Sequence, residues 1–572
     1  MKQRRRVLYL QLSALDNDVN GAHENLPNAA LYLDRALRES HERRFHEGVF
    51  LPASPPGTDQ LGNAALAQAI LELRPDVVAC TLYLWNIERT IRLLRGLRRR
   101  MPGLRVIAGG PEGSFRHPFL FRSGVCDAVA VGEGEGVFPA VLGWCRGLSA
   151  PSCRNVALRT GSRYRWGRAP VPSVGLKSAV PPVTDVARRI PDRAIAYLET
   201  TRGCPMRCTY CRYHHLRAGV DSLAPAAVAA YVAEFRSHGF GEVRFVDPTF
   251  NCHPRFDAVL DRLVDVNEDR GLRFFAEIKG ESVTPREAER MARAHFEEVE
   301  IGLQSVDPRV QRAIRRPTNL PALEQGIRRL TANGIRVTLD VMYGLPEQTA
   351  EDVYRSIEWA RRLPGVRVQC MQTLLLPGTS LREHGSRWRV KAGARPPYGV
   401  TSTATLSEAE MRGIEEFIGE SRDLPSDVPT SRFVGWRLPD LFPERLPVAA
   451  NAIAPAMPIP GRTARRVLIV GGRDLFARSA AIVGLVKRAM REEPDALWQF
   501  VMAPETEEPL DLLDRLVAAI REGPAHILDR YSGSALTRRI ASRRVFIQLR
   551  RGNRYDPSWE AAAEDLLRRH FN

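Results

Sequence analysis

Lysine is nearly missing from this chain: five of its 83 basic residues are lysines and the rest are arginines. The net charge of +17 follows from those arginines. A nucleic-acid surface would gather basic residues on one face or stripe. Here they are spread along helical segments, so the charge reads as a compositional bias and names no nucleic-acid partner. Long apolar runs are missing too. No stretch approaches the ~18–20 apolar residues of a membrane span. A basic start, with Lys2, Arg4, Arg5 and Arg6, leads into an apolar run at 7–12, as in a signal peptide. That run is too short, Gln11 breaks it, and no small-residue cleavage site follows. It reads as the first strand of a domain and places the protein in the cytoplasm. Of nine cysteines, six (Cys80, Cys126, Cys145, Cys153, Cys252 and Cys370) stand singly. A cytosolic setting excludes a disulfide framework, and lone thiols serve as small buried apolar residues. A G-x-G-x-x-G fingerprint does not follow Gly471 and Gly472, which removes the dinucleotide-binding signature there.

What is present is βα alternation. A length of 572 residues predicts three to four domains of ~150 residues each. Residues 1–150 place strands near 7–12, 48–51, 76–84, 104–108 and 127–131, with helical spacing between them. That pattern predicts a doubly wound parallel sheet whose ligands bind at the C-terminal strand ends. Residues 151–190 are rich in Pro, Ser and Arg and read as a linker with a small hairpin near 155–161. Residues 191–385 hold six further βα units, with strands near 194–199, 242–246, 273–278, 299–303, 336–342 and 366–370. Six units predict a partial (βα)6 barrel with chemistry at its C-terminal strand ends. Residues 386–572 read as a small C-terminal α/β domain, with strands near 466–470, 498–502 and 545–549 and no role legible in them. The fold class is α/β throughout.

One loop concentrates the remaining cysteines. After the first barrel strand the sequence runs Arg-Gly-Cys-Pro-Met-Arg-Cys-Thr-Tyr-Cys, which spaces Cys204, Cys208 and Cys211 as C-x3-C-x2-C. Thiolates are the protein ligands of iron–sulfur clusters. Three on one loop can hold three irons of a 4Fe–4S cluster and leave the fourth open. A zinc site needs a fourth ligand, and His214 and His215 are near enough in sequence to keep that alternative open.

This loop, with Tyr210 before the third cysteine, resembles the cluster loop of radical S-adenosylmethionine (SAM) enzymes. The resemblance implies that Cys204, Cys208 and Cys211 hold the cluster, that SAM chelates the open iron, and that reduction cleaves SAM to a 5′-deoxyadenosyl radical. It also implies a flavodoxin- or ferredoxin-type reductant. The barrel strand ends resemble the family's SAM motifs. FVDPTFN places Asp247 where the family has Gly-Gly-Glu. Glu277 and Lys279 end the third strand, Gln304 and Ser305 close EIGLQS, and Gly344, Leu345 and Pro346 open the adenine-side turn YGLPEQT. With Tyr210, these are the implied SAM contacts.

The N-terminal domain resembles the cobalamin-binding domain that precedes some radical SAM barrels. Its implied contacts are Thr81, Trp85 and Asn86 in TLYLWN, Gly109, Gly110, Pro111 and Glu112 in AGGPE, and Gly132, Glu133, Gly134 and Glu135 in VGEGE. The D-x-H-x-x-G motif of better-known cobalamin proteins is absent, and the nearest match puts Asn20 in the histidine position. Together the resemblances imply a cobalamin-dependent radical SAM enzyme that methylates an unactivated carbon of a natural-product, peptide or lipid-like substrate. An alternative use of the same cofactors is ring rearrangement or cyclisation without net methyl transfer. A noncatalytic cluster or cobalamin carrier is a third, disfavoured by the ribose and adenine motifs. Cys370 and Cys252, at barrel strand ends, are candidate thiols for radical quenching.

Overall fold

The structure is a computed structural model. It describes residues 4–15, 28–51, 61–115, 117–172, 174–188, 195–213, 219–421, 432–438, 441–454, 457, 459, 461–531 and 540–571. The Asn20 motif and His214–His215 lie outside the described residues.

The first strand, Arg5–Leu10, alternates its side chains between two cores. Val7 and Tyr9 pack with the helices Asn28–Glu39 and Phe138–Cys145, while Leu8 and Leu10 pack with Asn63–Leu73 and Ile87–Arg100. Alternation at a period of two on a strand covered on both sides is what makes the sheet doubly wound. Five parallel strands run in the order His46–Phe50, Arg5–Leu10, Val77–Thr81, Arg105–Gly109, Ala128–Ala130. The order reverses between the first and third strands in sequence, which opens a crevice at their C-terminal ends. The hairpin expected near 155–161 forms as Val156–Thr160 and Arg163–Trp166 and extends this sheet antiparallel. Two short helices, Leu176–Ala179 and Val183–Ala187, then pack into the core of the next domain.

That domain is an open barrel of six parallel strands in chain order: Ile195–Leu198, Glu242–Phe245, Arg273–Glu277, Phe296–Gln304, Arg336–Tyr343 and Val366–Gln372. Its outer helices start where the sequence signals them. Thr284 and Thr349 each close a capping box with the acid three residues on, and Asn319 caps Leu320–Ala332. One apolar layer between strands and helices holds the barrel together.

The C-terminal domain is a five-stranded, all-parallel sheet in the order Val434–Gly435, Arg543–Gln548, Leu497–Pro504, Arg465–Gly472, Glu444–Ala449. The first and last of these fall in segments that show no strand signal in the sequence. This domain docks on the N-terminal one. Helix Asn63–Leu73 starts at Gly62, which has no capping side chain. Glu493 supplies the cap from the other domain, accepting from the Asn63 and Ala64 N–H groups at 3.2 Å each. Asp495 takes Asn63 Nδ2 at 2.7 Å and pairs with Arg92 at 2.9 Å. A carboxylate at a helix N-terminus satisfies orphan donors and complements the helix dipole. Among the described residues no helix is long and apolar enough to cross a membrane.

Candidate functional site: a cleft between the cysteine loop and the glycine loops

The cysteine loop leaves the first barrel strand through a tightly held turn. Asp247, fully buried at the end of the second strand, accepts from the N–H groups of Thr200 and Thr201 at 2.7 and 2.8 Å and from the Thr200 hydroxyl. Burial pushes its pKa up to about 7 against those three donors. Gly203 follows with φ +100°, and a Cβ there would meet the Gly219 carbonyl at 2.3 Å, so glycine is required. The loop is anchored by Thr209 N–H to the Ile314 carbonyl (2.9 Å) and by Leu381 N–H to the Thr209 carbonyl (2.8 Å). Cys208 is buried, while Cys204 and Cys211 are half-buried.

The donor set fits an iron–sulfur cluster. The Arg316 guanidinium lies 3.9 Å from Cys208 Sγ and donates toward it. Burial pushes the Cys211 thiol up to about 11, so a bound metal would be needed to hold it deprotonated. Among the described residues no three His, Cys, Asp or Glu side chains converge on one metal-ion position. Cysteines that each take a different iron of one cluster need no such convergence.

Beside the loop, the barrel mouth gathers acids around Arg316. Glu277 ends the third strand, Glu300 lies on the fourth and Asp340 on the fifth. Burial pushes Asp340 up to about 9, helped by Glu300. Glu277 keeps an exposed side chain, and desolvation by the mouth around it pushes it up to about 7, again with Glu300 adding and Arg316 opposing. Arg316 donates to the Gly302 carbonyl at 2.6 Å. Gln304 ends the fourth strand with φ +66°, an uncommon conformation for a side-chain-bearing residue. Its Oε1 and the Oδ1 of Asp340 are buried without a hydrogen-bond partner. Buried polar atoms left unpaired next to a cluster loop fit a polar ligand that would pair them.

Across from the mouth stand the glycine loops of the N-terminal sheet. A cavity of about 460 Å³ runs between the two domains, lined on one side by Thr81, Tyr83, Gly109, Gly110 and Gly132–Glu135 and on the other by Glu199, Arg202, Tyr213, Val246 and Pro248. It continues under the sheet between Tyr32, Leu33, Phe138 and Val141. Gly110 has φ +92°, and a Cβ there would lie 2.8 Å from the Leu82 carbonyl, whereas one on Gly109 would meet nothing nearer than 3.8 Å. Gly110 therefore serves the turn, and Gly109 leaves open floor. An apolar cleft edged with glycine backbone fits a large planar cofactor.

The structure sorts the residues expected from sequence. Thr81, Gly109, Gly110, Gly132, Glu133, Gly134 and Glu135 share the cleft, and Glu277 and Gln304 share the barrel mouth. Others are used elsewhere. Asp247 spends its oxygens on the Thr200–Thr201 turn while its neighbours Val246 and Pro248 line the cleft. The Asn86 amide is buried and bonds the Leu12 and Thr81 carbonyls and the Tyr83 N–H. Trp85 stacks on Tyr83 at 4.3 Å and is not part of the cleft lining. Glu112 is buried against His117 (2.6 Å) and Tyr398 (2.7 Å), and Pro111 presents its carbonyl to Arg212. Tyr210 packs on Val310, Ile314, Met342 and Leu345. Lys279 is braced through its backbone by Asn251. Ser305 is buried and accepts from Asp307 N–H. Gly344, Leu345 and Pro346 form a buried turn in which Gln348 accepts from Leu345 N–H. Cys370 packs on the helix-facing side of its strand against the apolar layer, because it is out of phase with the lumen positions. Cys252 sits within electrostatic reach of Cys204 and Lys279.

Sequence reasoning missed Glu199, Arg202, Glu300, Arg316, Asp340 and Tyr213. Asp340 did carry a signal, being a lone acid inside the apolar strand Arg336–Tyr343. Arg316 carried none among so many arginines.

A cysteine-loop barrel beneath a glycine-looped, doubly wound domain is the architecture of a radical SAM protein with an appended cofactor domain. The family comparisons agree. The model of the radical SAM superfamily matches residues 198–360, and that of the B12 binding domain matches residues 20–142. The chain thus carries a region that matches the radical SAM model and, ahead of it, one that matches the B12 binding domain model. A Pyrococcus horikoshii protein named as an uncharacterized methyltransferase, PH0819, is 21% identical over 63% of this chain and 78% of its own length. The cobalamin-dependent radical SAM methyltransferase TokK of Streptomyces tokunonensis is 26% identical over 56% of this chain. The chain spans 48% of TokK. Among solved structures, the radical SAM methyltransferase TsrM of Kitasatospora setae, with cobalamin and a [4Fe-4S] cluster bound, superposes with a TM-score of 0.55 at 14% identity. That likeness covers 71% of this chain and 82% of TsrM, and it shows a shared fold.

Proposed function

We propose that this protein is a cobalamin-dependent radical SAM methyltransferase acting on an unactivated carbon of a small organic or peptide substrate. The observation that carries the reading is the shared cleft: glycine loops of the B12-type domain and the mouth of the cysteine-loop barrel face one cavity. When bound, the cluster would supply the electron, SAM the methyl group and the carbon radical, and cobalamin the methyl relay. In this reading Cys204, Cys208 and Cys211 hold the cluster. Glu277, Gln304, Arg316 and Asp340 orient SAM. Gly109, Gly110 and Gly132–Glu135 form the cobalamin floor. The apolar extension between Tyr32 and Phe138 takes the cofactor's nucleotide tail. Residues 1–150 hold cobalamin, 191–385 the cluster and SAM, 151–190 link the two, and 386–572 brace the assembly from the far side. The electron donor is a cytoplasmic protein of flavodoxin or ferredoxin type.

A second reading keeps the cofactors and changes the outcome to ring formation or rearrangement. The anaerobic magnesium-protoporphyrin IX monomethyl ester cyclase of Rubrivivax gelatinosus, 23% identical over 53% of this chain, favours keeping it. One experiment separates the two. The anaerobically reconstituted protein is given hydroxocobalamin, a reductant, SAM and candidate substrates, and the SAM products are resolved by chromatography. S-adenosylhomocysteine together with 5′-deoxyadenosine and a product heavier by one methylene supports methylation. 5′-Deoxyadenosine alone supports the second reading. No retained cobalamin refutes both.

A further inference from the structure

Two arginines bracket the cysteine triad, and both leave their own loop for the B12-type domain. Arg202, two residues before Cys204, donates to Glu135 at 3.0 Å and pairs with Glu133 at 3.6 Å. Glu199 of its own strand end completes its partners at 2.8 and 2.9 Å, and its guanidinium lies 5.5 Å from the centre of the Tyr32 ring. Arg212, directly after Cys211, donates to the carbonyls of Pro111, of Gly113 (2.5 Å) and of Pro377 (3.0 Å). Arg212 also lies near the buried Glu112 carboxylate of that loop. The far side of that same glycine loop is fixed by Glu112 to His117 and Tyr398. Each glycine loop of the cofactor floor is thus gripped once from the cysteine loop: the loop after Arg105–Gly109 by Arg212, and the loop after Ala128–Ala130 by Arg202.

We propose that Arg202 and Arg212 are positioning residues that couple cluster assembly to cobalamin binding. The inference rests on the cofactor reading above. A cluster bound by three cysteines fixes the backbone between them. The two guanidiniums carry that order into the floor of the cleft, so less ordering remains to be done when cobalamin binds. Linkage makes the effect reciprocal: cobalamin tightens cluster retention by the same factor. Arg212 is suited to this because a planar fork can reach three carbonyls at once, whereas an ammonium on a flexible stem cannot hold them in one geometry.

The test compares hydroxocobalamin affinity, by absorbance titration, of the full-length protein with and without its reconstituted cluster. The wild type is expected to bind about tenfold more tightly with the cluster present. In R212Q that ratio should fall to about one, with iron content unchanged because the cysteines are untouched. A merely structural role for Arg212 would weaken binding in both states alike and leave the ratio unchanged. R212K covers the case in which R212Q does not fold. It keeps the charge beside Glu112, and its ratio should also fall. A wild-type ratio of one, or an unchanged ratio in the folded variant, overturns the coupling while the cofactor reading stands. Absence of hydroxocobalamin binding in both states overturns the cofactor reading and the coupling with it.

Discussion

Replacing Asp340 by Asn should make the protein more stable at pH 8 and nearly unchanged at pH 4.5. Asp340 is 5% exposed in the barrel mouth, and burial with Glu300 beside it pushes its pKa up to about 9. An unfolded aspartate titrates near ~3.9. The folded state therefore binds this proton more tightly than the unfolded state. The group contributes its full stability below ~3.9, and that contribution is lost as pH rises toward 9. Each pH unit in that window costs up to ~1.4 kcal/mol. The mouth opens on a solvent-connected cleft, so we take the realised loss by pH 8 as about 2 kcal/mol rather than the upper bound. Asparagine keeps the shape, cannot ionise and can donate to Glu300. D340N should then melt about 4–8 °C above wild type at pH 8, taking ~2–4 °C per kcal/mol for a domain of this size. The assay is thermal unfolding of the cofactor-free protein across pH 4.5 to 8. An equal melting difference at both ends of that range, or a lower melting temperature for D340N at pH 8, would refute the reasoning.

Other substitutions divide structure from cofactor binding. C204A, C208A and C211A should each abolish the visible absorbance and iron content of the reconstituted cluster, while C252A and C370A keep both. G110A forces a left-handed alanine into contact with Leu82 and should cost about 1–2 kcal/mol before any clash, read as a lower melting temperature. G109A meets open floor, so the melting temperature should hold while hydroxocobalamin affinity falls. Y398F removes one of two donors from the buried Glu112 carboxylate and should destabilise by about 1–3 kcal/mol, measured by denaturant unfolding.

The parts of this protein written in contiguous residues were legible in advance. Cys204, Cys208 and Cys211 sit on one loop, so their spacing alone proposes the chemistry. The six barrel strands follow one another in chain and in space, so counting βα units gives the sheet order. Legibility failed where a polar residue has two equally good uses. Asp247 and Glu277 are both acids at barrel strand ends. Only their surroundings show that Asp247 braces a turn and Glu277 stands in the barrel mouth with Glu300 and Arg316. Cys370 failed by a single position of strand phase, since Gln369 and Met371 lie on the opposite face. In the C-terminal domain, Val434–Gly435 is too short and Glu444–Ala449 too polar to announce strands that tertiary pairing creates.

By itself, the sequence determined the α/β fold class and the placing of three cysteines on one loop, because hydrophobic period and cysteine spacing are local properties that tertiary context does not alter. Only the tertiary structure decided which acids gather around Arg316, that Glu493 caps a helix more than four hundred residues earlier in the chain, and that Arg202 and Arg212 reach from the cysteine loop into the glycine loops. Those contacts join residues that no sequence window holds together. Their energies come from burial and charge pairing that exist only after the domains have packed.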